Sequence, residues 1–201
     1  MIAAVLDIPI FPLGTVLFPG SLLPLRIFEQ RYVDMTKACL GNDSVFGVCL
    51  ILDGREAGEP AVPHAVGCTA RIVDWDVPAP GLFTLRTRGE RVFRIHEREV
   101  QRDGLIRARV TLRPPPPPAP VDDAYAGLTQ LYERIVEHLG AQVFPQPAQP
   151  HDGTWLSYRL ADLLDLPLAG KQRLLETEDP RAVQALLWNL LRAQATPGGA
   201  A

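Results

Sequence analysis

Side chains that could carry out catalysis are few and scattered along the sequence. None of the three serines lies in a GxSxG motif or beside a histidine, so no serine nucleophile is predicted. Asp74 and Asp76 share one face of a predicted strand, where two carboxylates could act in acid–base chemistry or hold a cation. A solvated pair beside a turn is the more common arrangement. His64 and Cys68 are interpreted as unrelated loop and core residues. We therefore expect no enzymatic activity, no cofactor and no metal site.

Arginine dominates the charged residues of the segment 86–113. On alternating strand positions, these side chains could form a stripe that binds the phosphate groups of RNA. Four acidic residues in the same segment offset part of this charge, and the whole chain has a formal net charge of -3. Nucleic-acid surfaces usually combine a basic excess with aromatic stacking partners. A solvated sheet face is therefore the favoured interpretation, and an RNA- or phosphate-binding surface is the alternative. The arginines concerned are Arg86, Arg88, Arg91, Arg94, Arg98, Arg102, Arg107, Arg109 and Arg113.

A predicted hairpin carries a second group of candidate binding residues. Trp75 precedes the turn at 78–81, and Leu82 and Phe83 follow it. Proline and glycine favour a tight turn that protrudes from the surface. Apolar side chains at such a tip should form an exposed patch that needs a partner. Packing in the core is the more common arrangement for large aromatic residues, and the exposed patch is the binding hypothesis.

Hydrophobic periodicity separates a β-rich first part of the chain from a helical second part. Pro9 and Pro12 place the first strand at a sheet edge, because proline cannot donate a ladder hydrogen bond. One helix is expected within the β-rich part, with Phe28 and Tyr32 packing it on the sheet. Strands are predicted at 8–13, 15–18, 22–27, 45–52, 67–75, 82–88, 91–98 and 105–112, and helices at 28–39, 125–139, 155–164, 168–176 and 182–193.

A run of prolines from Pro114 to Pro118 marks the boundary between the two parts. Consecutive prolines adopt a stiff polyproline II conformation and cannot continue a ladder. The sequence thus predicts an α+β protein with a β-rich portion at 1–118, a helical portion at 119–196 and a flexible tail at 197–201.

Cysteine usage and hydropathy bear on the compartment. The three cysteines, Cys39, Cys49 and Cys68, lack the spacing of metal ligands or of a disulfide framework, so we expect buried thiols in a reducing compartment. The N-terminus has no basic residue before its short apolar run. The longest apolar run, Val48–Leu52, is far shorter than the roughly 20 residues of a membrane span. A cytoplasmic location without a membrane partner is predicted.

Four local strings occur in order along the chain: IPIFPL at 8–13, LPLRIFEQRY at 23–32, VGCTARI at 66–72, and LPL followed by KQ and LLE between 166 and 176. They resemble the N-terminal domain family of Lon proteases, a family also found in cereblon and in stand-alone bacterial proteins. Their joint presence in this order carries the resemblance, which covers residues 8 to about 193.

The resemblance implies a PUA-like pseudo-barrel of β-strands followed by a C-terminal helical bundle. It also implies a non-catalytic, polypeptide-binding protein of proteostasis, whose partners are unfolded or exposed hydrophobic segments and which could form an oligomer. The chain contains no GxxxxGKS/T phosphate loop and nothing like the serine and lysine pair of the Lon protease domain, so neither unfolding nor proteolysis is expected. For the residues of the second string, a structural role in packing or anchoring the helix is the default interpretation, and peptide binding is the sharper hypothesis. The predicted peptide-binding residues are Glu29, Arg31, Tyr32, Trp75, Leu82 and Phe83.

Overall fold

The computed structural model of the chain describes residues 4–195. They divide into two compact units between Pro115 and Pro116, called unit 1 and unit 2 below. Unit 1 contains the strands and one helix, and unit 2 contains the remaining helices. The predicted α+β class is confirmed. The expected flexible tail at 197–201 lies outside the described residues.

The strands of unit 1 follow the predicted pattern with three differences, one of which is an unpredicted short strand at residues 62–63. The predicted strands 82–88 and 91–98 are one strand of 19 residues, and residues 15–18 lead into a turn instead of forming a strand. The elements are β1 (Val5–Leu13), β2 (Leu22–Ile27), α1 (Gln30–Asn42), β3 (Phe46–Asp53), β4 (Val62–Pro63), β5 (Val66–Ala79), β6 (Leu82–Val100) and β7 (Ile106–Leu112).

Five strands close into a ring in the order β1, β7, β6, β5, β3 and back to β1. β1 pairs antiparallel with β7 from Val5 to Ile10 and parallel with β3 from Ile10 to Leu13. The prediction that β1 lies at a sheet edge is therefore wrong. Each half of β1 pairs with another strand on one side only. The nitrogen atoms of Pro9 and Pro12, which carry no hydrogen, can therefore face the side without a partner strand.

Apolar side chains of the strands and of α1 form the core of unit 1. Tyr32, Met35 and Cys39 of α1 are buried in a cluster with residues of β1, β3, β5 and β6. Phe93 of β6 is 1% exposed. A Cβ at Gly47 or Gly67 would lie 2.7 Å from the Phe93 ring, so glycine is required at both positions for this packing. The prediction that all three cysteines are buried thiols is confirmed.

The first half of β6 is the central strand of a ribbon, with β5 on one side and β2 on the other. The β5–β6 hairpin turns at Gly81 (φ 77°), within the predicted turn. β2 follows a tight turn in which Ser21 N donates to Phe18 O at 3.1 Å and Gly20 has φ 82°, as in a type II turn. Gly20 N then donates to Gly89 O, and Gly89 N donates to Ser21 O. This bulge sets the register of β2 on β6.

Unit 2 contains four α-helices among its described residues, as predicted. Aspartates cap two of these helices. Asp152 Oδ1 accepts from Trp155 N at 2.7 Å, and Asp179 Oδ2 accepts from Ala182 N at 2.9 Å, which satisfies amide groups that the first turn leaves unpaired. No helix within residues 4–195 is long and apolar enough to cross a membrane. The helices are α2 (Ala126–Leu139), α3 (Gly153–Leu163), α4 (Leu168–Glu176) and α5 (Pro180–Ala195).

Candidate groove along the edge of strand β2

A groove of about 370 Å³ follows β2 in unit 1 and is called the β2 groove. Consecutive residues from Leu23 to Glu29 form one wall, and Phe11, Leu13 and Thr15 belong to the other. The rings of Phe11 and Tyr32 lie 4.0 Å apart between their centroids, and both residues line the groove. The lining of the groove is thus mainly apolar. The groove borders β2, which pairs with another strand on one side only.

The backbone of β2 points hydrogen-bonding groups toward this groove. Gly89 N donates to Ser21 O at 2.9 Å, and bonded residues alternate along an antiparallel ladder. Leu23, Leu25 and Ile27 are therefore the residues that bond β6, and the amide groups of the residues between them face away from β6. No described residue outside this ladder hydrogen-bonds the backbone of the outward-facing residues, which are Leu22, Pro24 and Arg26.

Phe28 is the most exposed large apolar residue of the groove wall, at 66%. The prediction that it packs the helix on the sheet is wrong. α1 begins at Gln30 with Glu29 as its N-cap, so Phe28 precedes the helix and is not part of its buried face. Tyr32, by contrast, is 4% exposed, and its predicted packing role is confirmed.

Arg31 connects three segments around the groove. Its guanidinium donates to Glu29 Oε2 and Gly58 O, each at 2.8 Å, and to Gly104 O at 3.2 Å. The same group lies 4.8 Å from the centroid of the Tyr32 ring. Burial raises the pKa of Tyr32, and the nearby Arg31 charge partly opposes this rise. Arg31 is 7% exposed and positions neighbouring segments, whereas Glu29 and Tyr32 lie on the groove wall itself.

The loop 54–61 contributes to the groove, and sequence reasoning missed it. Glu56 and Ala57 line the groove. Glu56 Oε1 accepts from Gly14 N, and Gly58 O accepts from Arg31, so the loop is held at two points. The sequence carries no motif for these contacts, because they depend on distant segments meeting in the fold.

Trp75, Leu82 and Phe83 of the hairpin do not line the β2 groove, although Phe83 pairs with Ile27 of the groove wall. Trp75 is 52% exposed, as expected of a surface residue, but Phe83 is only 8% exposed and belongs to the core. The expectation of an exposed Phe83 is wrong, because Phe83 shares the inward-facing side of β6 with Leu85. The Trp75 and Phe83 ring centroids are 6.1 Å apart. Leu82 is half-buried. The hairpin residues are absent from the groove lining.

Several arginines of the segment 86–113 are already partnered. Arg107 pairs with Asp7, Arg109 with Glu97 at 3.1 Å and Arg86 with Asp74 at 3.4 Å. Arg91 and Arg98 donate to backbone carbonyls. The ion pairs offset part of the charge that a phosphate group would meet, and the bonds to carbonyls occupy guanidinium donors. Within residues 4–195, no group of three or more His, Cys, Asp or Glu side chains is arranged to hold a metal ion.

Comparison with known proteins assigns the family. The model of the ATP-dependent protease La (LON) substrate-binding domain matches residues 7–192. A Lon protease of Cytophaga hutchinsonii is 29% identical over 196 residues, and Lon protease 2 of Myxococcus xanthus is 30% identical over 204 residues; these matches cover 91% and 92% of this chain. The chain spans only 23% of the length of either relative. The crystal structure of a Lon N-terminal domain protein from Xanthomonas campestris aligns with a TM-score of 0.78 and 34% identity, covering 92% of this chain and 98% of that one. The chain therefore belongs to the Lon substrate-binding domain family.

Proposed function

We propose that this protein binds unfolded or exposed hydrophobic segments of other polypeptides and has no catalytic activity of its own. The observation that carries the proposal is an apolar groove beside a strand edge, in a chain whose family is described as a substrate-binding domain. We further propose that clients contact Glu29, Tyr32 and Phe28, with Arg31 positioning the groove. Trp75 and Leu82 are proposed as secondary contacts on the hairpin.

The groove suits a weak, general recognition of apolar segments. Its volume of about 370 Å³ lies near the lower end of ligand sites. Phe28 is two-thirds exposed, and covering an aromatic side chain of this size stabilises a complex by roughly 1–2 kcal/mol. Affinity in the micromolar range follows, since association also costs translational and side-chain freedom.

Binding to a permanently unfolded protein tests this function. The probe is fluorescein-labelled, reduced and carboxymethylated α-lactalbumin, and fluorescence anisotropy gives its Kd. Phe28→Ser should raise the Kd about tenfold. The control Val100→Ser replaces a residue of similar exposure, 58%, which lies at the far end of β6, and should leave the Kd unchanged. Absence of binding at high micromolar protein, or equal losses in both variants, would refute the proposal.

The same assay distinguishes RNA binding, the alternative function. Affinity for a nucleic acid falls steeply with salt because counterions are released, whereas binding of apolar segments persists or strengthens. A labelled single-stranded RNA titrated at two salt concentrations provides the comparison. Tight RNA binding that collapses at high salt would favour the alternative.

We also infer that residues 1–118 form a PUA-like pseudo-barrel domain, that residues 119–196 form a helical bundle domain, and that the protein is cytoplasmic. The closed ring of five strands and the four helices support the first two inferences. The three buried thiols support the third. A protease recognition sequence inserted after Pro118 tests the domain boundary, because cleavage there should leave two fragments that both keep their circular dichroism. Cell fractionation tests the location.

A further inference from the structure

We propose that a client segment binds as an added β-strand along the free edge of β2, with apolar side chains facing the groove and acidic side chains facing Arg26, Arg86 and Arg88. This inference rests on the proposed polypeptide binding and specifies the class of client. An extended main chain is the ligand whose donors and acceptors recur at every second residue, which is the spacing that a strand edge presents.

The backbone of β2 provides the first argument. The amide groups of Leu22, Pro24 and Arg26 face away from β6, as the ladder alternation requires. Leu22 and Arg26 each offer a donor and an acceptor, and Pro24 offers an acceptor alone. An added strand would pair with these groups and would lie within the β2 groove, whose wall includes Pro24 and Arg26.

The inner side of β2 selects apolar residues. Leu23 and Leu25 are partly buried and pack against the core of unit 1, and both line the groove. Side chains of an added strand alternate between the two faces of the extended sheet. Every second client residue would therefore lie beside Leu23, Leu25 and the opposite wall. A charged residue there would lose hydration without gaining a partner.

The outer side of the ribbon selects acidic residues. Arg86 lies opposite Pro24 and Arg88 lies opposite Leu22 in the β2–β6 register, and Arg26 is on the same face of β2. All three arginines are exposed. Arg86 has one ion-pair partner, Asp74, at 3.4 Å, and both side chains remain more than half exposed. Arg26 on the edge strand, with Arg86 and Arg88 on the strand next to it, thus favours carboxylates on the outward face of the client.

Pro24 argues against a second copy of this chain as the occupant. Outward-facing residues must oppose one another, so two antiparallel β2 strands paired near their centres would place Pro24 opposite Pro24 or Arg26, and Pro24 cannot donate in either register. The same pairing would bring Arg26, Arg86 and Arg88 of both copies to one sheet face, where their like charges repel. A strand of complementary composition avoids both costs.

Labelled heptapeptides test the inference with the intact protein. The probes are a peptide of alternating valine and glutamate, one of alternating valine and lysine, and the glutamate peptide N-methylated at alternate residues on the edge that would pair with β2. We expect the lysine peptide to bind at least about tenfold more weakly than the glutamate peptide, since three exposed charge pairs are lost. N-methylation should weaken binding at least about tenfold, because it removes main-chain donors.

A charge variant and its control locate the site. Arg26→Gln should weaken binding of the glutamate peptide about two- to fivefold, the range for an exposed ion pair. Arg94→Gln removes an exposed arginine outside the β2–β6 pairing and should have no effect. Equal affinity of the N-methylated peptide would overturn strand addition, as would a dimer formed through β2 in sedimentation experiments. If the unfolded protein binds but none of the peptides does, strand addition is refuted and polypeptide binding stands. If neither binds, the proposed function fails as well.

Discussion

Replacing Arg31 by methionine should destabilise unit 1 and release the loop 54–61. The Arg31 guanidinium bonds one carboxylate and two backbone carbonyls that belong to separate segments. Methionine keeps much of the apolar stem that packs near Tyr32 but donates no hydrogen bond. Glu29, Gly58 and Gly104 would then all lose a donor.

The expected loss of unfolding free energy is about 4 kcal/mol. Each bond from the charged guanidinium to a carbonyl accounts for about 1.5 kcal/mol. The ion pair adds about 1 kcal/mol, a modest figure because the Glu29 side chain is still 23% exposed and can be hydrated. This sum is a large share of the roughly 5–15 kcal/mol that stabilises a folded protein.

Urea denaturation followed by tryptophan fluorescence measures this loss. In a Trp155→Phe, Trp188→Phe background, Trp75 is the remaining tryptophan of three and reports on unit 1. The control is Arg86→Met, which removes an ion pair in which both side chains are mostly exposed. That control should change the free energy of unfolding by less than about 0.5 kcal/mol.

Trypsin gives a local measure of the same change. Arg55 is exposed in the loop 54–61, and cleavage there requires the loop to open. Without the bond from Arg31 to Gly58 O, cleavage after Arg55 should accelerate more than global unfolding explains. The reasoning is refuted if Arg31→Met costs less than about 1 kcal/mol and cleavage after Arg55 is unchanged.

Three further substitutions and one chemical treatment probe other parts of unit 1. A Cβ at Gly89 would lie 2.3 Å from Phe18 O. Gly89→Ala should therefore lower the free energy of unfolding, measured by urea denaturation, by at least about 2 kcal/mol. An unchanged free energy would contradict the turn geometry. Phe83→Ser should lower the free energy of unfolding by about 3 kcal/mol, as for other buried aromatic residues. Trp75→Ser should lower it by less than about 1 kcal/mol, because this side chain is exposed. The reverse order would show that the burial assignments are wrong. Burial raises the pKa of the Cys49 thiol, so iodoacetamide at pH 8.5 should leave it unmodified until the protein unfolds, and rapid native labelling would disprove this. Because the folded-state pKa is raised, the contribution of Cys49 to stability is complete below the ordinary pKa of a thiol and is lost as the pH rises toward the raised value.

Local patterns were sufficient to predict most elements of the fold. Strand 22–27 and helix 168–176 have the predicted bounds, because β-alternation and helical periodicity are properties of short segments. The edge assignment of β1 failed since it used proline alone. The pairings of β1 with β7 and β3 join residues far apart in the sequence, and no local pattern specifies them.

The candidate site was predicted only in part. Glu29 and Tyr32 belong to a family-like string and do lie on the groove wall. Glu56 reaches the groove through a loop whose position depends on tertiary contacts. The signal that Phe83 is buried was present in the sequence, since two-residue alternation along β6 places it on the face of Leu85. The proline-rich turn beside Phe83 favours exposure of the aromatic side chain, and this local signal conflicts with the alternation.

The closed ring of strands also constrains the order in which the protein can fold during synthesis. The Asp7 carboxylate of β1 forms an ion pair with Arg107 of β7, which is 100 residues later in the chain. At about 5–20 residues per second, a ribosome needs roughly 5–20 s to make the intervening segment. Throughout that interval the half of β1 from Val5 to Ile10 lacks its ladder partner and is an open edge on the nascent chain. This half of β1 therefore exposes unpaired backbone donors and acceptors while translation is in progress.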